Sequence, residues 1–254
     1  MSRLMTLQQP ALVALLVILV CLLFAASLFV GANPLPVLQA ARESLLDTPT
    51  VIGLIFGEIR LPRALIALFT GATLGLAGAA MQGLLRNPLA SPGLIGSASG
   101  AALGAVGMLY FGLGALLPLA VPMGGMAGAL LATFLVYLMA GREAGTLTLI
   151  LAGVAINALA LAMISLLLNL APSPYAVREI VLWMMGSIAN HSMHDLWTLL
   201  PGVLLGWLLL LGTGRSLDAL TLGEETASTM GISLTRLRWR IFLAIALSVG
   251  SAVS

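Results

Sequence analysis

Residues 11–31 read ALVALLVILVCLLFAASLFVG, twenty-one positions without a charge. At 1.5 Å per residue such a run is about 30 Å long as a helix, the thickness of a bilayer's hydrocarbon layer. It predicts a membrane span. Only Arg3 precedes it as a basic residue, and it exceeds the roughly 7–15 apolar residues of a signal-peptide core, so it reads as a retained first span. The rest of the chain has the same character. Of 254 residues, 60% are hydrophobic and 8% charged, with a mean hydropathy of +1.12, whereas soluble domains are about a quarter charged. Further spans are predicted near 62–82, 93–112, 114–140, 147–171, 196–214 and 239–254, with a shorter apolar helix at 177–190. The expected fold class is an all-α polytopic membrane protein with about seven transmembrane helices, leaving no room for a separate soluble domain.

Composition removes several functions. All 11 basic residues are arginine, so the lysine-bearing phosphate loop of ATPases is absent and any ATP must be hydrolysed on another chain. A net charge of +2 from dispersed arginines gives no footprint for nucleic acid. The single cysteine, Cys21, excludes an internal disulfide or a cysteine metal cluster and reads as a packing residue of the first span. His191 and His194 lie three apart with Asp195 adjacent, but polar residues are expected in that loop, and no metal site is assigned. With the N-terminus inside, Arg3, Arg86, Arg142, Arg215, Arg236, Arg238 and Arg240 fall on the cytoplasmic side and Arg42, Arg60, Arg63 and Arg178 outside, which favours that orientation.

Small residues recur every four positions at Gly71 and Gly75, at Gly96, Gly100 and Gly104, and at Gly124 and Gly128, a pattern that lets membrane helices approach closely. Pro118 and Pro122 predict an irregular start to the fourth span. After Pro172-Ser173-Pro174, the piece at 177–190 is too short to cross and is expected to be re-entrant or interfacial, bordering a path or anchored by Trp183. Between Arg215 and Arg240, Thr221-Leu-Gly-Glu224 has the form of a capping box, predicting a short helix to Met230 stopped by Gly231. Its apolar Leu217, Leu220, Leu222 and Met230 suit docking, on a partner or on the chain's own bundle.

Arg60-Leu-Pro-Arg63, Gly78-Ala-Ala-Met-Gln82, Arg86-Asn-Pro-Leu-Ala-Ser-Pro92, Leu151-Ala-Gly153 and Leu222-Gly-Glu224 occur in that order. Together they resemble the FecCD-type permeases, the membrane subunits of type II ABC importers for iron-siderophores, haem and cobalamin. The resemblance runs from about residue 10 to the last residue. It implies that residues 1–254 are a single permease domain, incomplete at the C-terminus, holding about seven of the family's ten spans, with cytoplasmic coupling helices at 215–235. It also implies a homodimer or paralogous heterodimer in a bacterial inner membrane, two ATP-binding subunits that carry ATP and Mg, and an extracytoplasmic substrate-binding protein. This chain would bind no cofactor itself. Ser254 falls fourteen residues after Arg240, short of the roughly 20 needed to cross, so the seventh helix is expected to be incomplete and about three more absent.

The resemblance also implies roles. Arg60 and Arg63, one helical turn apart, would pair with glutamates of the binding protein, arginine being suited to bidentate contact with carboxylates; snorkelling to lipid is the alternative. Gln82, Arg86, Asn87, Pro88 and Pro92 belong to a motif loop beside the ATPase interface, where Asn87-Pro88 favours a turn and Pro92 a helix start. Thr146 and Leu147, after Arg142 and Glu143, would form the cytoplasmic gate. Thr221, Leu222, Gly223, Glu224, Met230 and Gly231 would couple to the ATPase. Asn157, polar at membrane depth, either bonds between helices or lines the pathway, with Gly153 and Ala160 leaving room for a bulky chelate. Two other classes compete: an intramembrane hydrolase using Ser97 or Ser99, which lacks a base at membrane depth, and a secondary transporter of a small organic solute, which lacks carboxylates inside the predicted spans.

Overall fold

A computed structural model describes residues 2–31, 36–45, 50–141, 145–189 and 191–253, and among these every regular element is helical. In chain order they are α1 (Ser2–Phe29), α2 (Val37–Leu45), α3 (Val51–Leu85), a 3₁₀ turn (Pro92–Ile95), α4 (Ser97–Tyr110), a single turn (Leu113–Leu116), α5 (Ala120–Ala140), α6 (Thr146–Asn169), α7 (Pro174–Met185), α8 (Met193–Leu210), α9 (Gly214–Leu220), α10 (Glu224–Thr229) and α11 (Leu234–Val253). They fall into two compact units, residues 1–68 with 188–196, and residues 69–187 with 197–254.

In the first unit, Val37, Ala40 and Phe56 form a small core with Leu28, Ile52 and Leu61 against it. Beyond that contact the stretch from Pro10 to Phe29 of α1 is bare, with none of that window buried, and Cys21 is exposed rather than packed, contrary to its sequence reading. Such a surface suits lipid, the solvent in which an apolar helix needs no cover. Helix α3 starts at Val51, well before the predicted 62, because Thr50 accepts a hydrogen bond from the Gly53 amide as N-cap. Thr50 also donates to Glu43, and this bond together with one from Gln39 holds the Glu43 carboxyl below its ordinary range. Pro62 does not break α3. Residues Ile55–Arg60 widen into a π turn in which the Leu61 amide reaches back to the Phe56 carbonyl, and this relieves the clash a proline makes with the preceding turn.

In the second unit, α11 is the central element. Ile241, Phe242, Ala244, Ile245, Ser248 and Val249 are all buried along it, among α4, α5 and α8. It is 20 residues long and starts ahead of the predicted 239. The expected third span is interrupted: Pro92 begins the 3₁₀ turn, Gly96 follows with φ 71°, and α4 has 14 residues. Pro118 and Pro122 flank the first residues of α5, the irregular start predicted. Helix α7 begins at Pro174, where Ser173 caps it by accepting from the Ala176 amide at 3.2 Å, and its 12 residues are too few to cross. Among the described residues, five helices are long and apolar enough to span: α1, α3, α5, α6 and α8. Of the seven spans expected, α4 is shorter and α11 carries three arginines in its first two turns.

The glycine spacing has a direct counterpart between α4 and α5. A β-carbon on Gly104 would sit 2.0 Å from the Gly124 carbonyl oxygen, and one on Gly128 2.1 Å from that of Gly100. The helices touch backbone to backbone. Gly71 and Gly75 differ: nothing lies within 4 Å of either position, so the predicted ridge on α3 packs against no part of this chain among the described residues. Gly104→Ala should therefore lower stability by roughly 1–3 kcal/mol through overpacking, while Gly71→Ala should raise it by about 0.5–1 kcal/mol through helix propensity. Thermal unfolding in detergent measures both, and the reverse order would refute this packing.

Candidate functional site

At one end of the second unit, the last turns of α3, the 3₁₀ turn, the first turn of α6, the α9–α10 pair and the first turns of α11 share an apolar cluster that includes Met81, Leu85, Ile95, Leu149, Leu220 and Leu237. Leu217 of α9 packs on Gly83 of α3, 3.3 Å from where a β-carbon would stand. The sequence motifs of this end are thus brought together around buried aliphatic side chains.

Helix α3 ends in a double turn that satisfies its last carbonyls. The Asn87 amide donates to the Gln82 carbonyl at 3.1 Å, which puts Arg86 in the left-handed position usually held by glycine, at φ 49°. Asn87 then accepts the Leu89 amide on its side chain at 2.9 Å, an Asx turn leading through Pro88. Pro92 opens the 3₁₀ turn rather than α4 itself.

The α9–α10 pair corrects one expectation. Thr221 is not the N-cap of α10, because its backbone is still helical (φ −63°, ψ −25°) at the end of α9, and its hydroxyl donates back to the Asp218 carbonyl at 2.6 Å. Gly223, at φ 110°, makes the reversal, and α10 starts without a side-chain cap. The other end is as predicted. Gly231, at φ 84°, follows Met230, and the Gly231 and Ile232 amides donate to the Ser228 and Ala227 carbonyls at 2.9 and 3.1 Å. Leu222 and Met230 are exposed.

The Glu224 carboxylate goes elsewhere. Its Oε1 accepts from Arg238 Nη2 at 2.9 Å and lies 3.5 Å from the Thr146 hydroxyl. Arg238 is 9% exposed, on the central helix. Sequence reasoning missed it, reading it only as one of several topology-setting arginines; its position one turn from the buried Ile241 on a core helix was the available signal. Its neighbour Arg240 donates to the Leu209 and Leu211 carbonyls at the end of α8.

Thr146 and Leu147 form the first turn of α6, with Leu147 exposed; Arg142 and Glu143 lie outside the described residues. Further along, the room expected beside Gly153 is taken: a β-carbon there would lie 1.7 Å from the Leu94 carbonyl oxygen. Ala160 is buried on the same face, and Asn157 is half-buried. Ser97 and Ser99 donate to the Pro92 and Gly96 carbonyls, the ordinary behaviour of hydroxyls near a helix start.

The first unit holds the remaining candidates. Arg60 donates to the Leu28 carbonyl at 2.8 Å and to that of Phe29 at 3.3 Å, closing the end of α1. Arg63 donates to the Ala189 carbonyl. Asp195 accepts the Ser192 amide at 2.7 Å and its hydroxyl at 3.1 Å, so its carboxylate reaches back over the start of α8, the carboxylate half of a capping box, with His191 3.5 Å away. Among the described residues no group of three metal-ligating side chains converges.

Thr221→Ala should change the stability of α10 by less than about 0.5 kcal/mol, whereas Gly231→Ala forces a β-carbon into the left-handed region and should cost about 1 kcal/mol. Hydrogen exchange across residues 224–230 reads both, and a larger loss with Thr221→Ala would restore the capping box.

Comparison with known proteins assigns this architecture. The FecCD transport family pattern matches residues 16–254. The cobalamin import permease BtuC of Halobacterium salinarum is 37% identical over 226 residues, covering 87% of this chain and 60% of that protein. The hemin transport permease HmuU of Yersinia pestis is 36% identical over 257 residues, covering 97% and 74% respectively. A solved structure described as an inward-facing conformation of a proposed metal-chelate type ABC transporter superposes with a TM-score of 0.81 at 30% identity, over 96% of this chain and 74% of that one. The chain spans about three fifths of the length of several curated relatives that it matches. It belongs to the FecCD transport family and is a multi-pass membrane protein.

Proposed function

We propose that this chain is permease sequence of an ABC importer that carries a metal chelate, such as a ferric siderophore, haem or cobalamin, across the inner membrane. The observation that supports this most is the family match over residues 16–254, with relatives named for cobalamin, hemin and iron(3+)-hydroxamate import. ATP and Mg belong to two partner subunits, since the chain has no lysine for a phosphate loop. The permease pairs with a second copy or a paralogue and receives its cargo from an extracytoplasmic binding protein, and its N-terminus is cytoplasmic.

In this reading the α9–α10 pair faces the ATPase, and Thr146 with Leu147 stands at the inner gate. Arg60 and Arg63 are the docking residues for the binding protein, each also donating to a backbone carbonyl of this chain. Asn157 is the remaining candidate for the pathway wall, Gly153 being filled by backbone.

The test is expression of the full-length permease with its ATPase subunit, followed by uptake of labelled cobalamin, haemin and a ferric hydroxamate into proteoliposomes. One of the three should accumulate only with ATP, and the ATPase should copurify. ATP-independent uptake without a copurifying ATPase would favour the secondary-transporter reading instead.

A further inference from the structure

We propose that Arg238 is a positioning residue that fastens the start of α10 to α11 through Glu224, so that this ion pair, beside the apolar packing of Leu220 and Ala227, carries displacement of the α9–α10 pair into α11. The inference rests on the ABC-importer reading above. Three observations carry it. First, α10 has only six residues and no side-chain N-cap, and a helix of fewer than two turns does not hold its own position. Second, its first residue is tied to the most buried helix of the unit by a 2.9 Å contact in which the side chains of Arg238 and Glu224 are 11% and 34% exposed. A guanidinium so nearly enclosed binds its carboxylate strongly, because loss of the partner leaves a buried charge.

Third, the same carboxylate oxygen is 3.5 Å from Thr146 Oγ1, at the outer limit of a hydrogen bond. Glu224 therefore has a tight arm to α11 and a slack arm to the first turn of α6. When α10 is pushed, α11 follows, and the contact with Thr146 is the one that parts. Glu225, the adjacent acid, is exposed and serves as the control.

The experiment uses the full-length permease reconstituted with its ATPase subunit and measures chelate taken up per ATP hydrolysed in Glu224→Gln, Arg238→Met, the charge-swapped double variant Glu224→Arg/Arg238→Glu, and Glu225→Gln. Each of the first two should lower the ratio about tenfold while the complex still assembles and hydrolyses ATP, as expected when a partly buried pair loses one member. The swapped pair should recover to within about threefold, and Glu225→Gln should match the unaltered protein. Unchanged coupling in Glu224→Gln, or a swap no better than the single changes, overturns the proposal. Glu224→Gln, on the more exposed partner, carries the test if Arg238→Met fails to fold. If the unaltered protein shows no ATP-driven uptake, the importer reading fails separately, and hydrogen exchange then decides the joint: faster exchange over 224–230 in Glu224→Gln supports it, and unaltered exchange overturns it.

Discussion

The last turn of every helix leaves carbonyl oxygens without an intrahelical donor, and in an apolar medium no water takes their place. Much of this structure is arranged around that demand. Arg60 closes α1 by donating to Leu28 and Phe29, and Arg240 closes α8 by donating to Leu209 and Leu211. Tyr110 reaches the Leu170 carbonyl beyond the end of α6 at 2.9 Å, and the chain itself turns back at Arg86 and Gly231. Arginine suits the task because its fork of donors and fixed charge complement the negative end of the helix dipole. The chain's basic residues are thus part of its architecture as well as its topology.

With carbonyls satisfied at the ends, the helices of the second unit are held along their lengths by close approach. Lipid competes well for apolar side chains, so contact area alone does not drive membrane helices together. Gly104 and Gly128 bring α4 and α5 to backbone contact, and Gly202 and Gly206 of α8 lie against Ser251 and Ser248 of α11. The long apolar side chains stay outside, on faces such as Leu151, Val154 and Leu161 of α6. Trp207 adds a polar tie at depth, donating to Thr73 at 3.2 Å.

The membrane class and the closely packed glycines were legible because composition and four-residue spacing report directly on solvent and contact. The start of α3 was not legible, since a proline at 62 reads as a boundary until the π turn before it is seen. Gly71 and Gly104 share one local pattern yet differ in surroundings, which spacing alone does not encode. The parts of the candidate end were readable as motifs, but not that Glu224, Thr146 and Arg238 share one carboxylate oxygen. That depends on which side chains the fold brings together across 78 residues of sequence.

The competing uses of Glu224 show why the local rule failed there. A capping box at Thr221 would contribute about 1 kcal/mol. Leaving a buried arginine without its carboxylate costs about 3–5 kcal/mol when both groups are enclosed, and less here because Glu224 is 34% exposed. The demand of the buried guanidinium still outweighs the cap, so the carboxylate turns toward Arg238 and Gly223 supplies the reversal that an N-cap would otherwise make. Asp195 occupies the same position in the same kind of motif, three residues after Ser192. Its partners are Ser192 and the half-exposed His191 rather than an enclosed guanidinium, and its carboxylate folds back onto the Ser192 amide as the motif predicts. The same four-residue signal therefore gives a carboxylate that folds back on its own helix start in one place and a tie between helices in the other, and the deciding factor is whether the core supplies a buried cation in need of a partner.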